Sequence, residues 1–178
     1  MVFYYDVGSP WSYLAGERAA HVLGAVPEWQ PVHAAALPGP AEPVDRAAVE
    51  AAAREQRLLA VQWPDPFPFD SLAAMRVAAY AKSGGRAVAF SLAAMRQAFA
   101  AGRDLGVVDN VLLAAAACEL HPRAVLKALE TRSVAESLDE ATAAAAARGV
   151  TAVPAVAIGD RLFAGADAPE RAAELTAA

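Results

Sequence analysis

The stretch Val2-Phe3-Tyr4-Tyr5-Asp6-Val7-Gly8-Ser9-Pro10-Trp11-Ser12-Tyr13-Leu14 constrains the fold more than any other part of the chain. Its first half is rich in aromatic and β-branched residues and reads as a strand. Gly8-Ser9-Pro10 then offers a turn residue, an N-cap and a proline suited to a first helical position, so the strand feeds straight into a helix. Amides at a helix start lack intrahelical partners, and the macrodipole places roughly half a positive charge there. An anion near Ser9 is therefore stabilised, and the Ser9 hydroxyl adds a donor. The plainer role for Ser9 is helix capping alone.

The rest of the chain reads as a small sheet interrupted by helices. The first helix continues through Tyr13 to Leu23 and closes at Gly24; Glu28 to Val32 then gives a second strand and a β-α-β unit, which builds a parallel pair. Leu37 to Pro43, with three prolines and a glycine, is a loop. From Val44 to about Leu59 the pattern is helical, with Asp45 as N-cap. Trp63-Pro64-Asp65-Pro66-Phe67-Pro68-Phe69-Asp70 cannot form a regular helix and reads as an extended segment presenting Trp63, Phe67 and Phe69. Asp70-Ser71 caps the next helix, which ends at Gly84-Gly85. The hexamer Ser71-Leu72-Ala73-Ala74-Met75-Arg76 recurs as Ser91-Leu92-Ala93-Ala94-Met95-Arg96, and the second copy is expected to start a further helix. Two copies do not make a solenoid, which needs at least about three units. Helices after Gly106 and from Pro122 fill most of the remainder up to 148. A strand beginning at Pro154, a Gly159-Asp160 hairpin, a returning strand over Arg161 to Ala164 and a last helix close the chain.

Composition bounds the function. With 178 residues, 57% of them hydrophobic and 20% charged, the chain is a globular domain, alone or with an inserted subdomain. Its net charge of −5 leaves no basic footprint, so nucleic acid and anionic membrane are not expected partners. The lone Cys118 cannot form an internal disulfide. The N-terminus has no basic region before its apolar run and carries Asp6 within it, unlike a secretory signal, so a cytoplasmic location is expected. No metal is expected either, because His21 and His33 have no Cys, Asp or Glu at ligand spacing.

Phe3-Tyr4-Tyr5-Asp6 followed by Ser9-Pro10-Trp11-Ser12-Tyr13-Leu14-Ala15 resembles the opening of the 2-hydroxychromene-2-carboxylate isomerase and kappa-class glutathione transferase family, a DsbA-like branch of the thioredoxin fold. Pro66-Phe67-Pro68-Phe69-Asp70-Ser71-Leu72-Ala73-Ala74-Met75-Arg76 is similar to its proline-aromatic segment, with Asp70 in place of an asparagine. Gly149-Val150-Thr151-Ala152-Val153-Pro154 resembles the thioredoxin pattern with a cis proline facing the helix-start corner. The resemblance covers nearly the whole chain. It implies an α/β, thioredoxin-like fold in which residues 1–40 and 149–178 form the thioredoxin-like domain and 41–148 a helical insertion, including the helix leading back to the sheet.

The resemblance also implies chemistry. Ser9 and Ser12 stand where disulfide oxidoreductases of this fold carry cysteines, so disulfide exchange at the corner is excluded and Ser9 is expected to hold the thiolate of bound glutathione. Val153, beside Pro154, would pair with the cysteinyl backbone; Ala166 and Asp167 match the loop that holds the γ-glutamyl end. Trp11, Trp63, Phe67 and Asp70 are expected to line the site of a small aromatic or conjugated substrate, with packing between insertion and sheet an equal alternative for the proline-aromatic segment. The activity implied is glutathione-dependent isomerisation, with a kappa-like glutathione transferase and a non-catalytic thioredoxin-like binding protein as alternatives. Dimers are common among such relatives, so a homodimer is an expectation from the resemblance alone.

Two departures bear on this reading. The loop Pro31-Val32-His33-Ala34-Ala35-Ala36-Leu37-Pro38-Gly39 lacks the family's lysine, and Ala164-Gly165-Ala166-Asp167-Ala168-Pro169 lacks its tryptophan, glutamine and arginine. Another electrophile, or another low-molecular-weight thiol, would account for both. His33 and Arg54 are the candidate replacements for the missing cation.

Overall fold

The aromatic run at the N-terminus forms β1 (Val2–Tyr5), and the proline after Ser9 starts α1 (Pro10–Val22). The computed structural model describes residues 1–40 and 43–176; positions 41 and 42, in the proline-rich loop and at the expected start of the insertion, lie outside the described residues, as do 177 and 178. The chain returns as β2 (Glu28–Pro31), parallel to β1 with Val2 opposite Glu28. After the helices come β3 (Ala155–Ile158), antiparallel to β1 with Tyr4 opposite Ala155, and β4 (Arg161–Ala164), antiparallel to β3. The sheet order is β2-β1-β3-β4, the mixed sheet of a thioredoxin-like fold.

Between β2 and β3 lie a short 3-10 turn (Ala34–Ala36), then α2 (Arg46–Glu55), α3 (Leu72–Ser83), α4 (Ala87–Phe99), α5 (Val108–Ala116), α6 (Pro122–Glu130) and α7 (Arg132–Ala147); α8 (Ala168–Thr176) follows β4. None of the helices among the described residues is long and apolar enough to cross a membrane. Strand alternation divides the burial in two. Phe3, Tyr5, Trp29 and Val156 face the larger core with buried residues of α1, α3 and α4, while Tyr4, Ala155 and Ala157 pack with Val32, Leu37, Val150 and Ala145 of α7.

Two helix boundaries differ from expectation. α4 starts at Ala87, not Ser91, because the turn at Gly84-Gly85 lets the next helix begin at once. Ser91 therefore lies inside the helix, completely buried, with its Oγ 2.5 Å from the Tyr5 hydroxyl. α2 ends at Glu55, before the expected Leu59, because Arg57 turns into the left-handed region at φ 57°. Asp45 does cap α2, its side chain accepting from the Ala48 amide at 3.1 Å.

Candidate functional site

The site grows from the local chemistry of the β1–α1 junction. Ser9 is the N-cap of α1, and its Oγ accepts a hydrogen bond from the Ser12 amide at 3.2 Å. A hydroxyl used as acceptor keeps its own proton free to donate. Pro10 has no N–H and the Ser12 amide is taken, so among the described residues the Trp11 amide is the open donor of the first turn. Two donors and the positive helix end thus converge beside Ser9.

Asp6 builds this corner, a role that the sequence reading missed. Only 2% exposed, its carboxylate accepts from the amides of Gly8 and Ala34, each at 2.8 Å, and from the Ser71 hydroxyl at 3.1 Å. Its backbone carbonyl accepts from the Ser9 amide at 3.1 Å. One side chain thereby joins the β1–α1 turn, the segment after β2 and the head of α3. Burial raises its pKa above the usual carboxylate range, opposed by the Ala34, Gly8 and Ser71 hydrogen bonds and by nearby His33. A signal was available: an acid closing an apolar strand just before Gly-Ser-Pro must be buried with partners. Ser12 also belongs to the corner. It is completely buried, and its Oγ lies 3.4 Å from the Asp6 amide as acceptor.

The far end of the chain meets this corner through the sheet. Because Tyr4 is opposite Ala155 in an antiparallel pair, the C-terminal end of β1 and the N-terminal end of β3 share one edge. The Val153-Pro154 bond there is cis, and the Pro154 carbonyl accepts from the Gly165 amide at 3.0 Å. Half-buried Val153 makes no backbone hydrogen bond among the described residues. The Ala166 carbonyl is fixed by Arg18 Nη2 at 2.6 Å, and Arg18 also bridges to Glu170 and Gln56. Asp167 is exposed, with its carboxylate 3.6 Å from Arg171 one turn along α8. Arg171 returns an arginine to this loop, from a position that inspection of residues 164–169 alone could not reveal.

The expected substrate-lining residues are only partly gathered. The Trp63 and Phe67 rings meet at a tilt, their centroids 4.9 Å apart, in a ring cluster with Phe69 and Phe99, and Tyr13 on α1 joins through Phe99 at 5.9 Å. Arg46 lies over both the Trp63 and Phe67 rings, and Trp63 Nε1 donates to Glu50 at 2.7 Å. Trp11 is half-buried against the main core. Asp70 is exposed, and its side chain caps α3 by accepting from the Leu72 amide at 2.9 Å. Of the replacement cations, His33 stands near Asp6 and Arg54 is exposed in the last turn of α2. Cys118 is buried after α5, where burial pushes its thiol pKa up. Among the described residues, no three His, Cys, Asp or Glu side chains converge as a metal site.

The family model of the DSBA-like thioredoxin domain matches residues 1–177. The chain belongs to that family. Among solved structures, a 2-hydroxychromene-2-carboxylate isomerase is similar at 22% identity and TM-score 0.84, over 99% of this chain and 93% of the other. A probable DsbA oxidoreductase from Streptomyces coelicolor is similar at 20% identity and TM-score 0.79, over 98% and 86%. The cytosolic disulfide reductase DsbM from Pseudomonas aeruginosa, solved with GSH, is similar at 16% identity and TM-score 0.65, over 99% and 96%. No curated protein matches the sequence. At these identities the DSBA-like likeness is one of fold.

Proposed function

We propose that this DSBA-like protein is a glutathione-dependent isomerase of the 2-hydroxychromene-2-carboxylate isomerase type. The reading rests on one juxtaposition: donors at Ser9 and Trp11 on the start of α1, and the backbone of Val153, unpaired among the described residues, beside cis Pro154 at the same end of the sheet. These groups fit glutathione. An extended cysteinyl backbone can pair with Val153 as an added strand, and a thiolate can receive the Ser9 hydroxyl and the Trp11 amide. The GSH held by a DsbA-like neighbour supports the choice of thiol.

When bound, glutathione would supply a thiolate that adds reversibly to a conjugated bond, permits rotation and leaves again. The chain's part is to hold that charge: each unit of thiol pKa lowering corresponds to about 1.4 kcal/mol, within the range that a helix start and a hydroxyl donor can provide. Asp167 offers a carboxylate to the γ-glutamyl ammonium, with Arg171 alongside. The Trp63–Phe67 cluster offers rings to an aromatic or conjugated substrate. With serines at positions 9 and 12 the corner has no thiol of its own, which favours isomerisation over disulfide exchange. A reducing, cytoplasmic setting suits such a cofactor.

Millimolar glutathione should raise the melting temperature, because a ligand that binds only the native state stabilises it. With 2-hydroxychromene-2-carboxylate, Ser9→Ala should slow isomerisation about a hundredfold, the loss typical of a missing charge-stabilising donor. Equal rates for the two proteins would remove Ser9 from the mechanism. Absence of any thiol-dependent shift would favour a non-catalytic binding protein.

A further inference from the structure

A groove of about 340 Å³ runs beside α1, lined by Tyr13, Glu17, Arg57, Leu58, Leu59 and Arg96. Ser9, Tyr13 and Glu17 are spaced four residues apart, so they follow one face of α1, and the groove begins one turn beyond the Ser9 corner. Its charges are unequal. Arg96 forks Glu17 at 2.6 and 2.7 Å, so those two neutralise each other. Arg57 has neither an ion pair nor a side-chain hydrogen bond among the described residues. Leu59, 67% exposed, completes the wall as a large apolar surface.

The backbone at Arg57 singles it out. α2 closes with Leu58 N–H donating to the Ala53 carbonyl and Arg57 N–H to the Arg54 carbonyl. The same two-bond closure ends α3 at Gly85 and α7 at Gly149, each with positive φ, where glycine is the residue of least strain. Glu119 is the other non-glycine residue at positive φ among those described, and its carboxylate meets Arg86 at 3.2 Å. Arg57 takes the strained conformation with no side-chain partner among the described residues. Strain retained at the mouth of a groove points to a job for the side chain.

We propose that Arg57 is a specificity-determining residue: the groove receives the second substrate as an organic carboxylate, its charged end at the Arg57 guanidinium and its apolar body along Leu58 and Leu59 toward Ser9. The assignment rests on the reading of Ser9 as the thiol corner. The chain's net charge of −5 makes one uncompensated cation on an apolar wall a local device and not a general trait.

The test titrates the full chain with trans-cinnamate, with neutral cinnamamide and with glutathione, by calorimetry. Wild type should prefer cinnamate to cinnamamide by about tenfold, as one charge-assisted contact allows. Arg57→Gly should erase that preference while leaving the melting temperature equal or higher, since glycine accepts the left-handed backbone, and Arg57→Lys should keep part of it. Glutathione affinity should be the same in all three. Equal binding of cinnamate and cinnamamide by wild type, a preference that survives Arg57→Gly, or a loss of glutathione affinity in that variant would each overturn the assignment. Arg57-dependent cinnamate binding without any glutathione binding would support the anion site and sink the thiol reading, so the two failures are distinct.

Discussion

The two copies of Ser-Leu-Ala-Ala-Met-Arg carry the same six residues into different surroundings. In α3 and its cap they are Ser71 to Arg76; in α4 they are Ser91 to Arg96. The fourth and fifth residues behave alike: Ala74, Met75, Ala94 and Met95 are all completely buried. The serines diverge, although both reach the end of β1. Ser71, at the head of its helix, donates to the buried Asp6 carboxylate, whereas Ser91, within its helix, meets the Tyr5 hydroxyl. The arginines diverge further, Arg96 forking Glu17 while the buried Arg76 Nε has no hydrogen-bond partner among the described residues. Short-range pattern decides which positions turn inward, and where the helix begins decides what they meet there.

Truncating the methionines tests the shared half of this comparison and carries the largest expected effect. Met75→Ala and Met95→Ala should each destabilise by about 2–5 kcal/mol in urea denaturation, the usual cost of emptying a close-packed core site. Met75 also accepts from the Val7 amide at 3.2 Å, so its loss should be at least the greater of the two. A markedly worse Met95→Ala would break the parallel. The serines test the divergent half. Ser71→Ala removes a bond to a buried acid and should cost about 2 kcal/mol, against about 1 kcal/mol for Ser91→Ala. Only Ser71→Ala should also weaken the glutathione-induced melting shift, because only Ser71 holds the corner through Asp6. Matched losses of the shift in both variants would show that the corner does not depend on that link.

The same contrast marks what could be read from the sequence. β1, the Ser9-Pro10 helix start, the Gly159-Asp160 hairpin and the capping of α2 by Asp45 are set by neighbours in the chain, and each is visible in a few residues. The cis Val153-Pro154 bond followed from the family resemblance. Asp6, Arg18, Arg57 and Arg171 were not legible, because their meaning depends on residues far off in sequence or on a backbone angle. Asp6 reaches Ser71, Arg18 reaches Ala166 and Glu170, and Arg57 stands in a left-handed turn where a helical pattern extended past it. Ser91 looked like a helix start because its hexamer begins one elsewhere; the Gly84-Gly85 turn had already released the chain into α4.

Asp6 supplies a pH signature that separates the two serines. Burial raises its pKa in the folded state, so its contribution to stability is full below the unfolded value of about 3.9 and is lost as pH rises through the folded value. Wild type should therefore be favoured over Asp6→Asn most at the acid end, with the difference shrinking from about pH 4 upward. The Ser71 hydroxyl is one of the donors opposing the rise, so Ser71→Ala should push the Asp6 pKa higher and extend that loss to higher pH. Ser91→Ala should leave the profile alone, as its partner is Tyr5. Urea titrations of the four proteins between about pH 4 and 8 give the comparison, and identical profiles for the two serine variants would defeat it.

The arginines carry the smallest effect on stability and the sharpest difference in what else they change. Arg96 is 53% exposed, and a solvated ion pair contributes at most about 1 kcal/mol, so Arg96→Ala should barely alter denaturation. Arg76→Ala removes no hydrogen bond made by the Nε. The groove separates them. Glu17 is only 13% exposed and shares that groove with Arg57, so stripping away Arg96 leaves a carboxylate facing whatever anion Arg57 receives. Arg96→Ala should thus weaken cinnamate binding about tenfold, with cinnamamide unaffected, while Arg76→Ala changes neither. If the two alanine variants bind cinnamate alike, the groove beside α1 does not read charge, and the difference between the hexamers ends at their serines.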